Sequence, residues 1–224
     1  MNPRRVIRES RFWRAYDGRR YTVLFYSLLT TLLLMPAATT LGLPTLLIRI
    51  LLAASLFAAI MPNATRRSRY VFVAGFVLLI AARLASVRGY LNVDPAFVLI
   101  LVGLIGLAAA GGSLRYVVSS RTIDAETLYA ALSTYLLAGL FFGQIYFSVE
   151  TIRPGSIVGP DPVTEITSVY YSFVTLATLG YGDYLPRTDI ARGLAMFEVI
   201  GGQLFLAVLV ARLIGAFGPG SDKD

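Results

Sequence analysis

The chain has 224 residues, 56% hydrophobic and 15% charged, with a net charge of +7 and neither cysteine nor histidine. Those two missing side chains exclude disulfides, thiolate chemistry, cysteine or histidine metal sites and catalytic triads built on histidine. The apolar share, gathered in runs of about 20 residues, argues against a soluble protein and matches the length a helix needs to cross a hydrocarbon core of roughly 30 Å.

Residues 1–20 mix Arg4, Arg5, Arg8, Arg11, Arg14, Arg19 and Arg20 with Val6, Phe12, Trp13 and Tyr16. An interfacial helix on anionic lipid uses this composition. A disordered basic leader that merely obeys the positive-inside rule uses it too. A cleaved signal peptide is a third reading, from Arg4-Arg5 and the small residues Ala37-Ala38, but the charged region is long for one.

Six apolar segments follow, at 21–39, 45–61, 70–87, 95–112, 127–149 and 190–217. Backbone polar groups cannot go unsatisfied in lipid, so each is expected to be a helix. Leu41-Gly42-Leu43-Pro44, Pro62-Asn63 and the stretch from Gly89 to Pro95 punctuate the first connections. Between the fifth and sixth segments, 150–162 reads as a proline- and glycine-rich loop. Residues 163–177 are apolar but too short to span, which suits a re-entrant helix.

Basic residues orient the segments. The leader arginines precede the first helix; Arg66, Arg67 and Arg69 lie between the second and third, and Arg115 and Arg121 between the fourth and fifth. The connection 40–44 has no charge, and the next outer one has only Arg88 against Asp94. Six crossings with both termini cytoplasmic are expected in a cell membrane, with the 150–189 loop entering from outside. This placement accounts for the positive charge better than a nucleic-acid partner does. Asp161, Glu165, Asp183 and Asp189, with Arg153 and Arg187, fall on the outer side; Glu165 serves the first turn of the short helix, and Asp183 suits an outer vestibule.

Residues 178–183 read Thr-Leu-Gly-Tyr-Gly-Asp. Gly180 and Gly182 alternate with Leu179 and Tyr181, so unusual dihedrals are tolerated where side chains pack outward and carbonyls face one axis. In this setting the chain resembles the potassium channel family. The resemblance runs from Tyr170-Tyr171-Ser172-Phe173-Val174-Thr175-Leu176-Ala177 through that hexapeptide. It continues from Gly201-Gly202-Gln203 to Arg212 in the last helix, and covers roughly 127–217. It implies an all-α membrane protein with six transmembrane helices, a re-entrant pore helix and a filter loop, assembled as a homotetramer. Thr178, Leu179, Gly180, Tyr181 and Gly182 would line the filter, with K+ as the permeant ion and no cofactor. Asp183 would sit at the outer mouth, and Tyr171 and Thr175 would support the filter, with the Tyr171 hydroxyl bracing Asp183. Gly202, with Gly201, matches the bending point of the inner helix, although close helix packing explains the pair equally well. Gln203 would face or border the cavity.

Departures from the family pattern bear on control. Many members have valine where Leu179 stands and aromatic pairs with tryptophan where Tyr170 and Tyr171 stand. Some place a carboxylate where Val174 stands, and its pairing with the aspartate is lost here. Glu198 is an acid within a span and should face protein or water rather than lipid. Gly139 and Gly143 form a small-residue packing pair. The segment 95–112 carries no charge, so it lacks the arginines a voltage sensor moves, and Arg49 and Arg83 lie near helix ends or in protein contacts. The expected organisation is a basic segment (1–20), a sensor-shaped four-helix bundle without sensor charges (21–112), a cytoplasmic linker (113–126), a pore domain (127–217) and a short tail (218–224) with no room for a ligand-binding domain. The expectation is a passive potassium-selective channel and not an enzyme. A weakly selective cation channel and a non-conducting membrane sensor or scaffold are the alternatives.

Overall fold

The computed structural model describes residues 19–42, 54, 95–120 and 122–217. The expected leader, tail and second and third segments, with Arg49 and Arg83, lie outside the described residues, apart from Ala54 and the two arginines that open the first helix.

Among the described residues the fold is all-helical apart from one two-stranded pair. In chain order it comprises α1 (Arg20–Thr40), α2 (Pro95–Ser119), α3 (Ala125–Ile152), β1 (Ile157–Val158), α4 (Glu165–Leu176), β2 (Leu185–Pro186) and α5 (Asp189–Phe217). Four of these helices, α1, α2, α3 and α5, are long and apolar enough to cross a membrane. The chain is a membrane protein.

α3 is the hub, packing against α1, α2 and α4. It starts where Asp124 accepts hydrogen bonds from the Thr127 amide (2.8 Å) and hydroxyl (2.7 Å), an N-cap that satisfies an orphan donor of the first turn. Those two bonds hold the Asp124 carboxyl below its usual range. α2 closes on α3 through Gly103 and Gly106, where an added Cβ would lie 2.5 Å from Ile145 Cγ1 and 2.1 Å from Phe141 Cγ. Absent side chains thus let the two backbones approach, the usual device between helices in lipid.

The helix expected over 95–112 runs on to Ser119, so most of the expected 113–126 linker is helical. Gly111 and Gly112 weaken the helix but do not end it, because the next turns are anchored. Val117 is buried, and Tyr116 stacks on Tyr21 with ring centroids 4.6 Å apart. The Arg212 guanidinium of α5 donates to the Val117 and Ser120 carbonyls, so a cation meets the carbonyl end of α2. The extension brings Arg115 into the helix. Glu126, in the first turn of α3, plays the complementary role at α1, accepting from the Tyr21 amide (3.0 Å) and the Thr22 hydroxyl.

Candidate functional site

α4 is 12 residues long, too short to span, and is capped at both ends. At its start Thr164 and Thr167 exchange side-chain and backbone hydrogen bonds in a capping box, with Glu165 in the first turn as expected. Its body is locked to α3: Cβ atoms added at Gly139 and Gly143 would meet the Phe173 ring at 2.5 Å and Val169 Cα at 2.6 Å. The small-residue pair is a packing seam, and its partner is the short helix.

The end of α4 is where the fold becomes chemical. The Thr178 amide donates to Thr175 O (3.0 Å) and the Leu179 amide to Val174 O (2.9 Å), the two bonds of a Schellman ending. Such an ending needs a left-handed residue just past the cap, usually glycine. Here it is Thr178, at φ +57°, the one non-glycine with positive φ among the described residues. A β-branched residue in that region is strained, and such strain gathers at functional sites. Thr175 supports the loop through its carbonyl.

Gly180 and Gly182 follow at φ +58° and +80°, while Leu179 and Tyr181 keep negative φ. An extended strand points successive carbonyls to opposite sides. When left-handed residues alternate with right-handed ones, successive carbonyls turn to the same side. The sign of φ thus alternates over five consecutive residues, 178 to 182, the pattern that gives a strand an oxygen-rich edge. Leu179 and Tyr181 are exposed, and no Cβ clash explains either glycine. Conformation, not space, selects glycine at 180 and 182.

Asp183 closes the ribbon. Its Oδ2 accepts from the Tyr170 hydroxyl at 2.7 Å, and its Oδ1 accepts from the Tyr184 amide at 3.1 Å. The bond to Asp183, first among the causes, pushes the Tyr170 phenol up to about 12. The expected brace from Tyr171 is therefore corrected to Tyr170. One residue turns the side chain by about 100° around a helix. Tyr171 is buried instead, edge-on to Tyr146 at 4.8 Å. Beyond Asp183 the chain is clamped where β1 pairs antiparallel with β2, Ile157 opposite Pro186, and where the Arg187 amide donates to Ser156 O at 2.8 Å. Of the other acids expected on the outer side, Asp161 is exposed and Asp189 makes an exposed 3.8 Å pair with Arg192.

α5 touches α4 at two points one helical turn apart. A Cβ on Gly202 would lie 2.7 Å from Leu176 Cδ1 and 3.0 Å from Leu176 O, so close packing accounts for this glycine. Gly201 has nothing within 4 Å of an added Cβ and lines a cavity of about 300 Å³ with Leu107, Tyr135, Phe197 and Phe205. Gln203 is exposed. Glu198 is 1% exposed and faces protein, as an acid in a span should. Its Oε2 accepts from the Tyr146 hydroxyl of α3 at 2.8 Å, and its Oε1 lies 2.5 Å from the Ser172 hydroxyl of α4. Ser172 is also 2.8 Å from Gly139 O, so one proton serves two acceptors. Ser172 and Tyr146 carried no role in the sequence reading. Neither is near Glu198 in the chain, and no local pattern joins them.

Residues 127–218 match the family described as "Ion channel". The voltage-gated potassium channel Kch of Escherichia coli is 31% identical over 109 residues, covering 47% of this chain and 23% of that protein. The inward rectifier potassium channel Kirbac3.1 of Paramagnetospirillum magnetotacticum is 30% identical over 87 residues, 37% of this chain and 27% of that protein. The protein LctB of Bacillus caldotenax is 27% identical over 130 residues, 54% of this chain and 95% of that protein. The chain thus spans about a quarter of the length of the two relatives named as channels. No solved structure matches it.

Proposed function

We propose that four copies of this chain assemble into a potassium-selective pore, a reading supported by the match of residues 127–218 to the ion channel family and by the relatives named as potassium channels. The observation that carries the reading is the alternation of positive φ at Thr178, Gly180 and Gly182. A cation of fixed size exchanges its hydration shell for rings of carbonyl oxygens only if several oxygen-edged strands converge on one axis. One chain supplies one strand, and α5 leaves Ile190, Phe197, Ile200 and Leu204 more than half exposed for neighbouring copies and lipid. In the assembly, Thr178 to Gly182 line the filter, α4 is re-entrant with its carbonyl end toward a central cavity, and Gln203 borders that cavity. Asp183, held by Tyr170, fixes the outer mouth.

The expected topology has both termini cytoplasmic, with α1 and α2 part of a peripheral bundle. α2 carries a charge only at Arg115, close to its end, so voltage gating through this helix is weak. Anionic lipid is the proposed partner of the basic segment 1–20.

Purified protein in planar bilayers tests the reading. A reversal potential that follows the potassium gradient and ignores the sodium gradient is the expected result. Unselective current would make the chain a general cation channel, and no current would make it a membrane sensor or scaffold. A conductance that rises steeply with voltage would contradict the assignment of α2.

A further inference from the structure

We propose that Glu198 is a positioning residue for the filter, acting through Ser172 of α4. This rests on the potassium-pore reading above. α4 carries no acid beyond Glu165 in its first turn, and the structure brings a carboxylate to its middle from α5. Glu198 is buried where α3, α4 and α5 meet, and both its oxygens have hydroxyl partners: Tyr146 at 2.8 Å and Ser172 at 2.5 Å. A buried carboxylate in a membrane span is costly, and an unmade hydrogen bond there costs more than the same bond does in water. Such a group persists where its bonds hold something in place.

What it holds can be followed atom by atom. Ser172 is tied to Glu198 on one side and to Gly139 O on the other, which fixes the rotation of α4 between α3 and α5. One turn along α5, Gly202 meets Leu176 at the end of α4. Those contacts set the height of the last turn, whose Val174 and Thr175 carbonyls receive the Leu179 and Thr178 amides. A turn or slide of α4 therefore moves the first two residues of the oxygen-edged ribbon. Glu198 never touches the ribbon; it determines where the ribbon begins. The arrangement also joins α5 to the filter support by a polar bond rather than by apolar contact alone.

The test compares Glu198→Leu, Glu198→Gln, Ser172→Ala and Tyr146→Phe in the full-length chain. Assembly is read by gel filtration and selectivity by potassium-to-sodium permeability ratio. Assembled Glu198→Leu and Ser172→Ala are expected to lower the ratio about tenfold, the loss of one strong hydrogen bond to a charged group. The double variant should fall no further, because both changes cut the same connection. Glu198→Gln, whose amide oxygen still accepts from Ser172, should stay near the wild-type ratio. A role confined to folding would change assembly and leave the ratio of assembled protein untouched. If Glu198→Leu does not assemble, Ser172→Ala and Tyr146→Phe, each removing one hydroxyl, decide the matter. Assembled variants with the wild-type ratio overturn the proposal while leaving the channel reading intact. A wild-type chain without selective current removes the channel reading and this proposal with it.

Discussion

α3 and α5 are nearly equal in length, 28 and 29 residues, and both can cross a membrane, yet their surroundings are opposite. Within the chain, 67% of the α3 span is buried against 11% of the α5 span, although α5 is the more apolar, with mean hydropathy 2.1 against 1.4. In lipid the ordering follows from physics. Acyl chains are as apolar as leucine, so hydrophobicity alone does not draw one helix to another; small side chains and hydrogen bonds do. α3 has small buried side chains at Ser133, Thr134, Gly139, Gly143 and Ser148. α5 spends its few on α3, α4 and α2, at Glu198, Gly202 and Arg212, and leaves much of the rest of its surface exposed.

The contrast can be broken most directly at Gly143. Gly143→Leu forces a side chain into the Val169 backbone and should cost about 3 kcal/mol, the upper range for overpacking, read as loss of folded protein in thermal unfolding. Phe197→Ala on the exposed side of α5 should leave the unfolding of the separated chain within about 0.5 kcal/mol and instead weaken assembly. Equal unfolding penalties at the two positions would end the distinction.

A smaller effect is expected in the ribbon between the two helices. Gly182→Ala places a Cβ on a residue at φ +80°, a strain of about 1–2 kcal/mol, and should reduce potassium selectivity in bilayers without preventing α3 from packing on α4. Tyr170→Phe removes the hydroxyl that holds Asp183, worth about 1 kcal/mol, and should speed the decay of current during sustained recording. Tyr171→Phe should leave that decay unchanged.

The smallest effect concerns how α3 begins. Asp124 has a carboxyl pKa depressed by its bonds to Thr127, so the stability it adds is present above the unfolded-state pKa and is lost as pH falls through the lower folded-state value. Asp124→Asn keeps a capping oxygen without that titration. It should flatten the acid limb of the unfolding curve, measured by circular dichroism.

Much of this site was legible because it is local. The short helix, its acidic first turn and the two glycines of the ribbon can be read within some 20 residues. Thr178 was legible in type but not in conformation: nothing in the sequence says that a threonine, not a glycine, takes the left-handed step. The choice between Tyr170 and Tyr171 was available in principle, since Ser168, Tyr171 and Val174 share one stripe of α4 and are all buried, which leaves Tyr170 outside it. The helix expected over 95–112 runs past Gly111-Gly112 to Ser119. What overrules them, Arg212, lies 95 residues beyond Val117. The Glu198 site is of the same kind, made by partners 26 and 52 residues away.

The bond from Arg212 to the end of α2 makes a lever. Arg212 stands ten residues past Gly202, about 15 Å along the helix axis. A 20° bend at the glycine pair would swing its guanidinium by about 5 Å, farther than two hydrogen bonds can stretch. Bending of α5 must therefore either drag α2 along or release it. α2, charged only at Arg115, would then share the mechanical load of α5.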